Sequence, residues 1–199
     1  INQVIKKINI GIFDNDGDSL IECLHIVYAG EGQDLNGTPS DLLWPHKSEL
    51  VCDPIHGFRI CNYMVTPELF NGSYRGIGTI CHELGHILGA PDFYDTNTKD
   101  NDSLPGTGYW DLMDNGDKNN NMNNPSMPNP YLKTEIFKWA TAKELLGIDV
   151  LDTLRPSELD SNSIYKLSTL TPNEYYLLEN RQDVNLPGTG LVVYHVNAG

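Results

Sequence analysis

Two histidines four positions apart, His82 and His86, constrain this chain more than any other feature of its sequence. Apolar residues recur at helical spacing from about Ser73 to Leu88, and Gly89 followed by Pro91 signals the end of a helix. Residues four apart on a helix lie about 40° apart around its axis, so the two imidazoles project side by side. The sequence therefore predicts one helix whose imidazoles can bind a single cation.

The residues around these histidines predict a zinc site of the catalytic kind. Gly89 can adopt a positive φ and turn the chain sharply, which would bring Asp92 back toward the imidazoles as a third ligand. Two neutral imidazoles and a carboxylate leave a fourth position open for water, as in catalytic zinc sites. Glu83 can reach that water without being a ligand, take its proton and pass it to a leaving amine. The predicted ligands are His82, His86 and Asp92.

Two alternatives to this interpretation remain open at the level of sequence. A five-residue H-E-x-x-H match also occurs by chance in helices that bind no metal, but here the pattern extends through Gly89 and Asp92. The other alternative is a noncatalytic binding or adhesion module that retains a structural metal. The intact Glu83 argues against such a module, because a structural site needs no base.

Length and charge limit the remaining classes of function. The chain has 199 residues, which suits a single domain with a full core, and a formal net charge of -14. Nucleic acids and anionic membranes bind basic surfaces, so neither is an expected partner. The apolar runs are far shorter than the roughly 20 residues that a membrane-spanning helix needs. The composition suits a secreted, soluble protein or one that binds calcium.

The extended metal motif carries a family resemblance. H-E-x-x-H-x-x-G followed by a ligand three residues later resembles the metzincin clan of metallopeptidases, in which a tight turn containing Met lies beneath the metal. Most metzincins have His as the third ligand, whereas this chain has Asp92. That departure, together with four further motifs, resembles the immune inhibitor A family of secreted bacterial metallopeptidases. These motifs are Pro91-Asp92-Phe93-Tyr94-Asp95, Trp110-Asp111-Leu112-Met113-Asp114-Asn115-Gly116, Trp44-Pro45-His46 and Tyr176-Leu177-Leu178-Glu179-Asn180-Arg181.

The resemblance implies an α+β catalytic domain of two lobes that cleaves proteins or peptides with zinc. An upper lobe, about residues 1–89, would hold a mixed sheet and the metal-binding helix. A lower lobe, about residues 90–199, would hold Asp92, the Met-turn, a further helix and a β-rich end. Met113 would be the Met-turn residue; from the residues alone, Met113 belongs to an apolar island in a polar loop and must pack somewhere. The resemblance also implies a secreted or cell-surface protein and a larger precursor, of which this chain is a fragment.

The Tyr that follows the Met-turn in some metzincins has no counterpart at that position in this sequence. Some metzincins place a Tyr just after the Met-turn Met, where it binds the metal or stabilises the oxyanion. Here Met113 is followed by Asp114-Asn115-Gly116. The sequence therefore predicts no residue for that role.

An acidic segment near the start of the chain is a second candidate for a cation. Asp14, Asp16, Asp18 and Glu22 alternate along a loop in a way that lets oxygen ligands surround a hard cation such as calcium. The segment is not an EF-hand, since Ser19 and His25 stand at the sixth and twelfth positions. An Asp-rich turn that is merely solvated is the alternative, and the family resemblance favours calcium.

The remaining predictions concern the cysteines, the packing of the helix, and the other strands and helix of the chain. Cys52 and Cys61 flank a turn that a disulfide could close, while Cys23 and Cys81 stand among apolar neighbours as buried thiols. Leu84 and Leu88 are predicted to anchor the helix to the core. The predicted strands are Leu20 to Tyr28, Phe58 to Thr66, Ile164 to Leu167, Glu174 to Asn180 and Gly190 to Val196, with a second helix from Pro130 to about Leu146.

Overall fold

A computed structural model describes residues 8–35, 41–50, 53–96, 106–146 and 153–197. The chain forms two compact units, Ile1–Arg75 and Gly76–Gly199. The helix that carries His82 and His86 belongs to the second unit, whereas the sequence assigned it to an upper lobe ending near residue 89. The two-lobe assignment stays a prediction.

The first unit is built on a four-stranded mixed sheet. Its strands are β1 (Leu20–Glu31), β2 (His46–Glu49), β3 (Arg59–Phe70) and β4 (Ser73–Tyr74). Strand β3 is central: β1 runs parallel to it, and β2 and β4 pair with it antiparallel. A 3-10 turn, Ile10–Phe13, contributes to a small core of Ile10, Ile21, Ile55 and Ile60. The two strands predicted in this region are confirmed, and both are longer than expected.

The helix that carries His82 and His86, α1, spans Gly78–Ile87. The predicted start at Ser73 is wrong, because Ser73 and Tyr74 pair with the end of β3 in a tight hairpin. The helix ends as predicted. Gly89 has a φ of 97°, and the next amide, that of Ala90, bonds to the carbonyl of Gly85 at 3.0 Å. This left-handed turn reverses the chain immediately after the second histidine.

The orientation of α1 differs from the prediction. Leu84 and Leu88, expected to anchor the helix, are 43% and 44% exposed, while His82 and Glu83 are buried. The helix turns its ligand side inward because Gly85 admits a packing partner there: a Cβ at this position would lie 2.5 Å from the sulfur of Met113. The buried side of α1 is therefore the side that holds His82 and Glu83.

The predicted second helix, Pro130 to Leu146, is confirmed only at its start. The chain is helical from Pro130, but the helix ends with a short π-helical stretch, Leu132–Ile136, about ten residues earlier than predicted. The amides of Trp139 and Ala140 both bond to the carbonyl of Lys133, and Lys138 has a left-handed φ of 56°. These features stop helical propagation, and strand β5 (Lys143–Glu144) follows. Two 3-10 turns, Gly108–Trp110 and Asn115–Lys118, precede the π-helix.

The second unit ends in a sheet of order β5-β6-β7-β8. Its remaining strands, β6 (Tyr165–Ser168), β7 (Glu174–Arg181) and β8 (Gly190–Asn197), confirm the three predicted strands at this end. Strand β5 is parallel to β6, and the other pairs are antiparallel. The protein is thus a mixed α+β structure. No helix within the described residues has the length and apolar character that crossing a membrane requires.

The cysteines differ in part from expectation. Among the described residues, Cys23, Cys61 and Cys81 form no disulfide with one another, and each is half-buried. Cys52, the predicted disulfide partner of Cys61, lies outside the described residues. Burial raises the pKa of the Cys23 and Cys81 thiols. These two thiols are therefore less buried than predicted but are kept protonated by their surroundings.

Candidate metal centre

The structure brings His82, His86 and Asp92 together. One ligand atom from each lies within 4.8 Å of the others. Oδ1 of Asp92 is 3.2 Å from Nε2 of each histidine, and the two Nε2 atoms are 3.1 Å apart. The helix supplies the imidazoles and the Gly89 turn supplies the carboxylate, as the spacing predicted.

Both imidazole rings are held from behind by backbone carbonyls. Nδ1 of His82 bonds to the carbonyl of Leu112 at 3.0 Å, and Nδ1 of His86 bonds to that of Ala90 at 2.8 Å. A carbonyl only accepts, so each Nδ1 carries the proton and each neutral ring presents the lone pair of its Nε2. The rings stand nearly perpendicular, at 87°. Two lone pairs therefore face the same small space.

The donor set fits a divalent metal. Among the described residues, Oδ1 of Asp92 is buried and has no hydrogen-bond partner, although it faces both Nε2 atoms. Buried carboxylate oxygens are normally satisfied, so this atom needs an explanation that a cation supplies. Burial disfavours a charged His82, but the contacts with Asp92 and the Leu112 carbonyl outweigh it and raise its pKa to about 9. The Asp92 carboxylate thus favours a positive charge beside it, which a divalent cation would supply.

Two further side chains border this group. Glu83 follows the first histidine and is 6% exposed. Tyr94, which the sequence did not single out, interacts with Asp92 through its hydroxyl. Burial first, and then the charge of Asp92, raise the pKa of Tyr94. The signal that could have identified Tyr94 is its place two residues after the third predicted ligand.

Met113 lies directly beneath the helix. It is 0% exposed and packs with Ala90, Leu112 and Leu132, and its sulfur lies against Gly85. Its carbonyl accepts a hydrogen bond from the amide of Phe93 at 2.9 Å. The apolar island predicted in the polar loop is therefore packed, and it packs against α1.

The acidic segment forms a separate group in the first unit. Ligand oxygens of Asp14, Asp16 and Asp18 lie within 4.8 Å of one another, and Glu22 is not part of this group. The first carboxylate accepts hydrogen bonds from the amides of Gly17 and Ser19. Calcium at this turn stays a prediction.

Comparisons with known proteins agree with the motifs. The sequence profile described as "Immune inhibitor A peptidase M6, catalytic domain" matches residues 11–138. Immune inhibitor A from Bacillus thuringiensis subsp. alesti is 32% identical over 96 residues, which cover 42% of this chain and 14% of that protein. The Pre-pro-metalloprotease PrtV of Vibrio cholerae serotype O1 (strain M66-2) is 29% identical over 123 residues, 50% of this chain and 12% of that protein.

The aligned regions are thus a small part of both relatives, at 14% and 12% of their lengths. No solved structure matches the chain at a significant level. The profile match covers well over half of the chain and includes both histidines and Asp92. The chain belongs to the immune inhibitor A (M6) peptidase family.

Proposed function

We propose that this chain is the catalytic part of a zinc-dependent endopeptidase that hydrolyses peptide bonds in proteins. His82, His86 and Asp92 would hold the zinc ion, and Glu83 would act as general base and then general acid. The observation that carries the proposal is the convergence of two Nε2 atoms and Oδ1 of Asp92, each pair between 3.1 and 3.2 Å apart. Membership of a peptidase family supports the same reaction.

The ligand chemistry favours zinc over other divalent ions. Two imidazoles and one carboxylate are a ligand set of catalytic zinc sites, whereas calcium and magnesium prefer oxygen alone. Zinc so bound is a Lewis acid that polarises a carbonyl and makes water nucleophilic at neutral pH. The carbonyls of Leu112 and Ala90 would fix the tautomers of the two ligands.

Glu83 and Tyr94 supply the remaining groups. Glu83 is buried beside His82, so its carboxylate can take a proton from the attacking water and return it to the leaving nitrogen. The hydroxyl of Tyr94 interacts with Asp92 and would help to orient this ligand. A secreted or cell-surface location, as the family resemblance implied, is part of the same proposal.

Substituting Glu83 with Gln tests the mechanism. The variant keeps the size of the side chain but cannot accept the proton, so casein hydrolysis should fall about 10²- to 10⁴-fold while zinc content stays at the wild-type level. Glu144→Gln, at an exposed glutamate of the same unit, is the matched control and should keep full activity. An undiminished rate for Glu83→Gln would disprove the role of Glu83. A zinc-loaded wild type that cleaves nothing in a broad peptide library would favour the noncatalytic binding module.

A further inference from the structure

The four residues Trp110–Met113 connect the candidate ligands to the rest of the second unit. The carbonyl of Leu112 accepts from His82, and the carbonyl of Met113 accepts from Phe93, the residue after Asp92. The sulfur of Met113 lies against Gly85, between the two histidines of α1. A shift of this segment would therefore move two of the three ligands and the helix that carries them.

Arg181 of strand β7 holds the other end of this segment. Its Nη1 donates to the carbonyl of Trp110 at 3.1 Å. The same guanidinium bonds to Glu179 at 3.1 Å and to Glu158 at 3.2 Å. The side chain of Arg181 is 1% exposed and that of Glu179 is 0% exposed. The planar, five-donor guanidinium can serve these three acceptors at once, which a lysine ammonium cannot do with the same geometry.

Glu179 ties this arginine to a second element of the site. Its carboxylate accepts from Lys133 at 3.2 Å, Ser157 at 2.8 Å and Tyr194 at 3.0 Å. Lys133 belongs to the π-helix, and its neighbour Leu132 packs with Leu112 and Met113. The cluster thus reaches the Trp110–Met113 segment by two routes, one through a hydrogen bond and one through packing.

A contribution to stability does not by itself explain why Arg181 and Glu179 form a buried charged cluster. Buried ion pairs often contribute no more to stability than apolar residues of similar volume, because desolvation offsets their attraction. Their directional bonds do fix geometry. Here the bond ends on a backbone carbonyl two residues from the one that holds His82.

We propose that Arg181, oriented by Glu179, is a positioning residue for the metal centre and acts on His82 through the Trp110–Met113 segment. Both residues lie outside the family match, which ends at residue 138. The inference rests on the proposed function, since it assumes that His82 is a ligand. Loss of a group that orients a metal-binding histidine typically weakens metal affinity 10- to 100-fold.

Metal affinity in the full chain tests this assignment. Arg181→Met keeps an elongated, apolar side chain and should weaken zinc binding about 10- to 100-fold in a chelator competition. Arg181→Lys keeps the charge but lacks the planar guanidinium, so its zinc affinity should lie between those of Arg181→Met and wild type. Arg155→Met, at an exposed arginine of the same unit, is the matched control and should bind like wild type. The visible spectrum of cobalt-loaded protein should change in Arg181→Met, since the ligand geometry would differ.

A purely structural role would give a different result. In that case Arg181→Met would lower the unfolding temperature of the metal-free protein, yet leave zinc affinity and the cobalt spectrum unchanged, and the proposal would be overturned. Where Arg181→Met does not fold, Arg181→Lys decides by the same two measurements. A wild type that binds no zinc would instead overturn the proposed function.

Discussion

Both candidate cation sites of this protein bring their ligand atoms within 4.8 Å of one another, but they hold those atoms in opposite ways. At the centre formed by His82, His86 and Asp92, the imidazoles are anchored by backbone carbonyls outside the group. At the acidic turn, Asp14 accepts from Gly17 at 2.9 Å and from Ser19 at 3.1 Å. The carboxylates of the turn therefore use their oxygens to stabilise the turn itself.

This difference separates a preorganised ligand set from a local motif. An imidazole held through Nδ1 has its Nε2 free for a metal, whereas a carboxylate that caps its own loop is already partly satisfied. Burial increases the contrast, since Asp92 has a buried oxygen without a hydrogen-bond partner among the described residues. Asp16 and Asp18 are exposed to solvent. Closeness of ligand atoms alone does not define a metal site.

The largest expected effect is on zinc affinity. Asp92→Asn keeps the shape of the third ligand but removes its charge, so zinc binding should weaken more than about 100-fold, beyond what loss of a supporting group costs. Asp18→Asn, the same change in the acidic turn, should leave zinc affinity unchanged. Competition with a zinc chelator measures both variants. Equal losses in the two would show that zinc does not distinguish the sites.

The free energy of unfolding should depend on pH through the buried carboxyl group of Asp111. Asp111, 0% exposed beside Met113, has a pKa raised by burial to about 6 although Asn129 hydrogen-bonds to it. A raised carboxyl pKa means that the folded protein binds the proton more tightly than the unfolded chain. The contribution of Asp111 to the free energy of unfolding should therefore rise by about 3 kcal/mol as the pH falls from about 6 to about 4.

Urea unfolding of wild type and Asp111→Asn between pH 4 and pH 7 measures this contribution. The difference in unfolding free energy between the two proteins should change over that window, because the variant lacks the titrating group. A difference that stays constant with pH would contradict the raised pKa of Asp111.

Contact between the helix and Met113 should be sensitive to a single methyl group. In Gly85→Ala the new Cβ would lie 2.5 Å from the sulfur of Met113, so the variant should lose about 1–3 kcal/mol of stability through overpacking. Gly188→Ala is the control, since a Cβ there would lie 3.9 Å from Trp110, an ordinary contact. Thermal unfolding compares them, and equal stability would mean that Met113 does not pack tightly under α1.

Calcium should have the smallest effect. With a dissociation constant in the millimolar range, calcium at ten times that concentration would add about 1.4 kcal/mol to stability. Asp16→Asn should abolish the resulting rise in unfolding temperature, and Asp53→Asn, at an exposed aspartate of the same unit, should keep it. A rise that persists in Asp16→Asn would exclude the acidic turn as its source.

The sequence predicted the local geometry of the centre well, because that geometry depends on short spacings. Helical periodicity places His82 beside His86, and the Gly89 turn returns Asp92 to them. The side of the helix that faces the core was predicted wrongly. Periodicity defines which residues share a face, but Met113, which packs under Gly85, is distant in sequence.

Other features depend on contacts that no local pattern reveals. The predicted second helix ends early because two amides converge on the carbonyl of Lys133. Glu179 and Arg181 did leave a signal: they share the buried face of β7 with Tyr175 and Leu177. Charged residues on the buried face of a strand require partners, so the period of two could have indicated a buried ion cluster.

X-ray absorption at the zinc edge of the loaded protein tests the central claim most directly. The account predicts two imidazole nitrogens at about 2.0–2.1 Å and one carboxylate oxygen, with one imidazole lost in His86→Ala. A shell made of oxygen alone, or one containing sulfur, that is unchanged in His86→Ala would contradict the assignment of His82, His86 and Asp92 as the zinc ligands.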